Sequence, residues 1–266
     1  MKPTLASRLV AATGIAALAF LVLPLLIVVP MSFSSARSLS FPPPGFSLRW
    51  YEGFFGDERW MEALWTSLAL AFISSIFAVV LGGLAAYGLR RGTFRGRDVQ
   101  EGNFMAPLIV PTIIAAVAMY LGFAKANLLG TFTGLVLAHT VLSVPLVMMV
   151  LGVAIRSFDV RIEQVGWSLG GSWFYTARTV LLPNIAPSLF AAWIFAFIGS
   201  FDEVIVTSFI AGTYETIPKK MFNELILEVN PTITAVATLL MAFTILALGL
   251  SAWMLRRAGK LRETML

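Results

Sequence analysis

A long uncharged run decides the fold of this chain: residues 132–155 read FTGLVLAHTVLSVPLVMMVLGVAI, without Asp, Glu, Lys or Arg. A helix of about twenty apolar residues is long enough to cross a hydrocarbon core of about 30 Å. Only helices fit runs of this length, so the sequence predicts an all-α membrane protein with six transmembrane helices. The five other predominantly apolar runs lie at residues 9–31, 63–89, 104–123, 188–211 and 232–255.

The composition supports this class and excludes several chemistries. Of the 266 residues, 58% are hydrophobic and only 12% are charged. There is no cysteine for a disulfide, a thiolate metal site or a thiol nucleophile, and the single histidine, His139, leaves little for a histidine metal cluster. The formal net charge of +5 comes from basic residues beside apolar runs, so we expect no nucleic-acid partner. We predict one transmembrane domain over residues 1–266, with no metal-binding residues.

The distribution of Lys and Arg predicts the orientation. Cytoplasmic segments carry an excess of basic residues. With the N-terminus inside, Lys2, Arg8 and most others of the 19 fall on the cytoplasmic side. The segments left outside hold only Arg37, Arg49, Arg59, Lys125, Lys219 and Lys220. We therefore expect a multi-pass protein of the membrane with both termini in the cytoplasm. A signal peptide is the alternative for the first run, although that run exceeds an h-region and lacks a clear small-x-small cleavage site.

The first outer segment, about residues 32–62, combines a proline run with many aromatic residues. Pro42, Pro43 and Pro44 favour extended backbone, and residues 50–65 hold three Trp, one Tyr and two Phe. These residues fit either an interfacial helix anchored by aromatic side chains or an aromatic belt beside the second span.

The chain lacks the residues that would hydrolyse ATP. A phosphate-binding loop needs Gly-x-x-x-x-Gly-Lys-Ser/Thr. The only Gly-Lys pair, Gly259-Lys260, has Met254 at the place of the first glycine. Metalloprotease and intramembrane serine protease patterns are also missing, because His139 is followed by Thr140 and the sequence Gly170-Gly171-Ser172 by Trp173. We predict no catalytic residues, and any ATP-driven action needs a separate chain.

The inner segment, residues 156–187, is the most informative connection. Apolar Ile162, Val165 and Leu169 recur three and four residues apart, which predicts a helix with one apolar stripe outside the membrane. Gly170 and Gly171 then permit a sharp turn before a second helix. Pro183 and Pro187 are expected to mark the entry into the fifth span.

This segment resembles the EAA loop of permease subunits of bacterial ABC importers. The spacing matches that motif, except that glutamine stands in place of the first glutamate and Glu163 precedes it. The resemblance implies a type I ABC importer permease (MetI-like) fold, with a cytoplasmic coupling helix between helices 4 and 5 that docks on the ATPase. The residues implied in coupling are Glu163, Gln164, Val165, Gly166, Gly170, Leu182 and Pro183.

In particular, the chain is similar to permeases of spermidine/putrescine-type importers, on residues 158–161, 200–209 and 214–218. That resemblance implies a bacterial inner-membrane location, surrounding membrane lipid, a second homologous permease, two copies of an ABC ATPase and a periplasmic substrate-binding protein. It also implies that ATP and Mg²⁺ are bound by the partner ATPase and that this chain holds no cofactor.

Two acids inside the fifth span, Asp202 and Glu203, need an explanation, since a charge there costs about 2.5–3.5 kcal/mol on insertion scales. One hypothesis is a pathway for a cationic substrate, because ammonium groups are stabilised by carboxylates. The other is a buried pair that bonds to backbone or to the partner permease. His139 also has two interpretations, as a proton relay or as a hydrogen-bonding group between packed helices.

The resemblance, together with the two acids, implies an ATP-driven permease subunit that carries a small organic cation, a polyamine such as spermidine or putrescine, by alternating access. Related substrates, opine-like or derived from amino acids, are an alternative for the same role. A proton-driven secondary transporter that uses Asp202, Glu203 and His139 is the rival class, although no internal repeat is visible. A membrane scaffold would leave the loop spacing and the paired acids unexplained.

Overall fold

The computed structural model describes residues 5–227 and 230–263. Lys2 and both chain ends, which the orientation prediction places in the cytoplasm, lie outside the described residues. The helices in chain order are α1 (Leu5–Ser32), α2 (Arg49–Gly56), α3 (Glu58–Arg91), α4 (Arg97–Ile109), α5 (Thr112–Lys125), α6 (Phe132–Ser157), α7 (Val160–Ser168), α8 (Trp173–Thr176), α9 (Leu182–Phe201), α10 (Ile205–Ile210), α11 (Ile217–Leu227) and α12 (Thr232–Glu263).

The predicted number of spans is confirmed when one bent helix pair counts as a span. In the described part of the chain, five helices are long and apolar enough to cross a membrane, and a sixth span comes from α4 and α5 together. The five are Leu9–Ser32, Glu58–Arg91, Phe132–Ser157, Trp173–Phe201 and Thr232–Met254.

The third predicted span, residues 104–123, is not one straight helix. α4 and α5 meet at an angle of 105°. Pro111 cannot donate a backbone hydrogen bond and disfavours helical backbone at the preceding residue, and Val110 is accordingly extended, with ψ of 129°. The span predicted over residues 104–123 is therefore broken at this proline.

The fifth predicted span, residues 188–211, differs at both ends. A π-helical turn, Ala177–Leu181, joins α8 to α9, so the helix that carries this span already begins at Trp173. The extra residue of a π turn lies just before Pro183, where a regular α-helix would lose a hydrogen bond. At the other end the helix stops at Phe201 and restarts at Ile205, which leaves Asp202 in a break instead of inside a helix.

By their contacts the residues form two compact units, Met1–Met61 with Met221–Phe243, and Glu62–Lys220 with Thr244–Leu266. The prediction of a single transmembrane domain over residues 1–266 stays a prediction. In the first unit, the side chains of α2 pack on the end of α1: Trp50 Nε1 donates to the carbonyl of Ser34 at 2.8 Å, and the hydroxyls of Tyr51 and Ser32 are 2.7 Å apart. These aromatic residues therefore hold the first outer segment together.

The core of the second unit lies around α6, which packs on α3 and α9. Buried Val147, Leu151 and Ile155 of α6 form one hydrophobic cluster with Ala78 of α3 and Ala192 of α9, among others. A Cβ atom on Gly82 of α3 would come within 2.9 Å of Val147. Small residues thus allow the close helix approach that is typical of membrane proteins.

Candidate functional site

The predicted coupling helix is present as α7 and starts almost directly after α6. The Oδ1 atom of Asp159 accepts a hydrogen bond from the amide of Arg161 at 2.9 Å and caps the first turn. Aspartate is a preferred residue at this position because it satisfies an otherwise free helical amide.

The predicted glycine turn is also present, and it ends α7 in a Schellman motif. Gly170 has a φ of +86°, a left-handed conformation that favours glycine. Its amide donates to the carbonyl of Trp167 and the amide of Gly171 to that of Gly166, both at 3.0 Å. The chain then enters α8, whose first turn is capped by the hydroxyl of Ser172.

One face of α7 is exposed. Ile162 and Val165 are about half exposed and Leu169 is 82% exposed, so the apolar stripe predicted from the sequence has no cover in the described chain. Gln164, at the place of the motif glutamate, is exposed beside them. This arrangement leaves apolar surface and one amide exposed on α7.

Glu163 points the opposite way, into the protein. Only 1% of it is exposed. Its Oε1 lies 2.9 Å from Nε and 2.7 Å from Nη2 of Arg91, and its Oε2 accepts a hydrogen bond from the Tyr87 hydroxyl at 2.9 Å. Arg91 also donates to the carbonyl of Phe158 at 3.0 Å. Glu163 therefore attaches α7 to the C-terminal end of α3, although the sequence groups it with the residues implied in coupling to the ATPase.

The other predicted loop residues lie in two places: Gly166 makes a packing contact, and Leu182 and Pro183 lie at an exposed helix start. A Cβ atom on Gly166 would lie 2.9 Å from the Thr176 side chain, so glycine allows α7 to rest against α8. Leu182 and Pro183 are exposed at the start of α9. The structure thus brings Glu163 and Gly166 inward and leaves the Leu-Pro pair at the surface.

The side chains of the two acids of the fifth span, Asp202 and Glu203, lie in different surroundings. Asp202 ends α9 and is exposed in the break between α9 and α10. The carboxylate of Glu203 accepts hydrogen bonds from the amides of Val206 at 2.8 Å and Thr207 at 2.9 Å, which caps the start of α10. Glu203 therefore stabilises the break, because it satisfies amides that a continuous helix would pair internally.

A buried polar cluster lies next to this break. His139 on α6 is 1% exposed, and its ring nitrogens lie 2.8 Å from the Ser200 hydroxyl and 3.0 Å from the Thr207 hydroxyl. Ser200 also shares a hydrogen bond with Ser74 of α3 at 2.8 Å, and a Glu203 oxygen is 3.9 Å from the ring. The cluster connects α3, α6, α9 and α10 around the break, a geometry that fits a hydrogen-bonding role between helices.

Sequence reasoning misses Ser74 as a member of this cluster. Ser74 and Ser75 are small polar residues in an otherwise apolar part of α3, which is the available signal. Serine also bonds readily to carbonyls of its own helix, and Ser74 does so with Leu70 at 2.7 Å. The pattern alone therefore cannot distinguish a local hydrogen bond from a contact between helices.

Comparison with known proteins now identifies the class. Residues 78–260 match the family described as "Binding-protein-dependent transport system inner membrane component", and the chain belongs to this family. It is an integral membrane permease with the type I ABC importer permease (MetI-like) fold.

The similar proteins include polyamine permeases. The chain is 30% identical to the spermidine/putrescine transport system permease protein PotC of Escherichia coli (strain K12), over 85% of this chain and 86% of that protein. It is 32% identical to the putrescine transport system permease protein PotI of the same strain, over 91% and 89%. A bacterial ABC transporter involved in the import of the acidic polysaccharide alginate has a TM-score of 0.64 at 16% identity, and the match covers 96% of this chain and 98% of that chain.

Proposed function

We propose that this chain is a permease subunit of an ATP-driven importer that carries a polyamine-like organic cation across the bacterial inner membrane by alternating access. The observation that supports this most is the exposed apolar face of α7, held in place by a buried attachment to α3. The family and the substrates named for the PotC and PotI relatives support the class of cargo.

The partners follow from that role. Two copies of an ABC ATPase bind ATP and Mg²⁺, and one of them receives the exposed residues of α7. A second homologous permease completes the pathway, and a periplasmic binding protein delivers the substrate. α7 lies on the cytoplasmic side, with both termini. Gln164 replaces a charged contact with the ATPase by a neutral one, so apolar burial of Val165 and Leu169 supplies more of the attachment.

Asp202 is the stronger candidate for contact with the cation. It is exposed at a helix break, whereas the carboxylate of Glu203 is already engaged with two amides. Helix breaks within membrane spans are tolerated where they line a cavity or are buried in protein. An ammonium group that enters such a cavity donates a charge-assisted hydrogen bond to an exposed carboxylate.

The test is uptake of spermidine and putrescine by the complete transporter in vesicles, for the wild type, Asp202→Asn and Glu203→Gln. We expect Asp202→Asn to raise the apparent KM for both polyamines about tenfold, which corresponds to one charge-assisted hydrogen bond. Glu203→Gln should mainly lower the stability of the complex, because it loses part of a helix cap. Asp98→Asn, an exposed acid in the first turn of α4, is the matched control.

Unchanged KM and rate in both variants, in well-folded complexes, would exclude a direct role of these acids with the cation. Uptake of opine-like or amino-acid-derived compounds in preference to polyamines would change the substrate class and keep the permease role. Uptake driven by a proton gradient without the ATPase would favour the secondary transporter that uses His139.

A further inference from the structure

A buried ion pair connects the coupling helix to a helix that does not adjoin it in sequence. We infer that Glu163 and Arg91 act as positioning residues that transmit movement of α7 to α3, and through α3 to the break between α9 and α10. This inference rests on the proposed function, because it concerns how a motion of the ATPase reaches the membrane spans.

Several hydrogen bonds of described residues form this attachment. Both carboxylate oxygens of Glu163 are engaged, one by Arg91 and one by the Tyr87 hydroxyl. Trp173 of α8 donates its Nε1 hydrogen to the same Tyr87 hydroxyl at 3.1 Å, and the two rings lie 5.7 Å apart. The end of α3 is therefore bonded to both helices of the loop.

The position of Glu163 assigns it a different role from Gln164. Glu163 is buried against α3 and cannot reach a partner chain without breaking its bonds to Arg91, while Gln164 and Val165 are exposed. The ATPase thus displaces α7 through one face, and the opposite face transmits this displacement to α3. The chain alone connects α7 only to α6 and, through α8, to α9; this ion pair adds α3 to the elements that move.

α3 provides a direct route to the substrate pathway. It is one uninterrupted helix from Glu58 to Arg91. The distance along it from Arg91 to Ser74 is about 26 Å, at about 1.5 Å per residue. Ser74 bonds to Ser200, which bonds to His139 beside the break that holds Asp202. A displacement of Arg91 along the α3 axis therefore acts directly on the polar cluster at the break.

The chain contains a matched control for this ion pair. Arg90, the preceding residue of α3, forms an ion pair of 2.7 Å with Glu101 of α4. That pair lies at the same end of α3 and has the same chemistry, but it joins α3 to α4 instead of α7. A change at Glu101 tests whether the loss of any ion pair at this end of α3 has the same effect.

The experiment measures substrate imported per ATP hydrolysed, in vesicles that contain the complete transporter and its binding protein. We expect Glu163→Gln and Arg91→Gln each to lower this ratio at least threefold, because ATP hydrolysis then moves α7 without moving α3. The double variant should be no worse than the poorer single variant, since both changes remove the same connection. Glu101→Gln should keep the wild-type ratio.

A second measurement applies if the variants assemble poorly into the transporter complex. The chain has no cysteine, so Glu163→Cys combined with Arg91→Cys introduces the only two thiols of this subunit. Joining them with a reducible bis-methanethiosulfonate should restore the import ratio, and reduction should remove it again. Restored assembly without a restored ratio would contradict the inference.

The outcomes separate the two proposals. A wild-type transporter without ATP-dependent uptake overturns the proposed function, and this inference with it. A wild type that imports normally, with single variants that assemble and keep the wild-type ratio, overturns only the role of Glu163 and Arg91. Additive losses in the double variant, or an equal loss in Glu101→Gln, would also overturn it.

Discussion

The turn at Gly170 offers a quantitative test of the coupling loop. In Gly170→Ala the new residue must adopt a φ of +86°, although among the described residues no atom beyond its two chain neighbours lies within 4 Å of where its Cβ would be. The penalty therefore comes from the backbone conformation and not from a clash with neighbours. If residue 170 leaves this backbone conformation, the two hydrogen bonds that end α7 are lost. They run from the amide of residue 170 to the Trp167 carbonyl and from the Gly171 amide to the Gly166 carbonyl.

The cost of holding alanine in a left-handed conformation is about 1–2 kcal/mol. If docking of the ATPase requires the native turn, this free energy is subtracted from the docking energy. The dissociation constant of the ATPase should then rise about 5–30-fold. Asparagine tolerates left-handed backbone better than alanine does, so Gly170→Asn should have a smaller effect.

The assay is the equilibrium affinity of the ATPase for the permease complex in lipid nanodiscs, measured for the wild type and both variants. Gly102→Ala in α4 is the control, because Gly102 is exposed and has no positive φ, and because its added Cβ meets no atom of the described residues within 4 Å beyond its chain neighbours and its own helix backbone. An unchanged affinity in Gly170→Ala, or a larger loss in Gly170→Asn than in Gly170→Ala, would refute the reasoning.

Three further predictions concern the membrane-spanning helices, and thermal unfolding of the purified complex measures each. Ser200→Ala should cost about 1–3 kcal/mol, because it leaves buried polar groups of His139 and Ser74 without this hydroxyl; equal stability would show that the cluster rearranges freely. Gly82→Ala should cost about 1–3 kcal/mol through overlap with Val147. Gly88→Ala, on the same helix, should instead stabilise the protein by about 0.5–1 kcal/mol, because its added Cβ meets no atom of the described residues within 4 Å beyond its chain neighbours and its own helix backbone. A loss of stability like that of Gly82→Ala would contradict the packing explanation.

Local signals in the sequence predict the features that local physics determines. Apolar length identifies the spans, because the bilayer imposes it on each helix separately. The turn at Gly170 is predictable for the same reason, since only its own backbone conformation is involved. Pro111 allows a kink in the third span, but proline is tolerated inside membrane helices, so its presence alone does not decide between a bent helix and a break.

Long-range partners decide the features that the sequence leaves open. Glu163 and Gln164 are adjacent polar residues of one helix, and only the position of Arg91 on α3 determines which of them is buried. Asp202 and Glu203 are similarly a pair in sequence. They separate in the structure because Glu203 caps α10 while Asp202 ends α9. Neither outcome follows from helical periodicity, because the partner amides and guanidinium come from elsewhere in the fold.

The proposed function requires that this chain carries its substrate together with an ATPase that docks on α7. The most direct measurement is purification of the tagged chain from its native membranes in mild detergent, followed by mass spectrometry of the proteins that come with it. We expect recovery of an ATPase with a phosphate-binding loop and of a second six-span permease. Recovery of a stable chain alone, able to move a solute under a proton gradient, would contradict it.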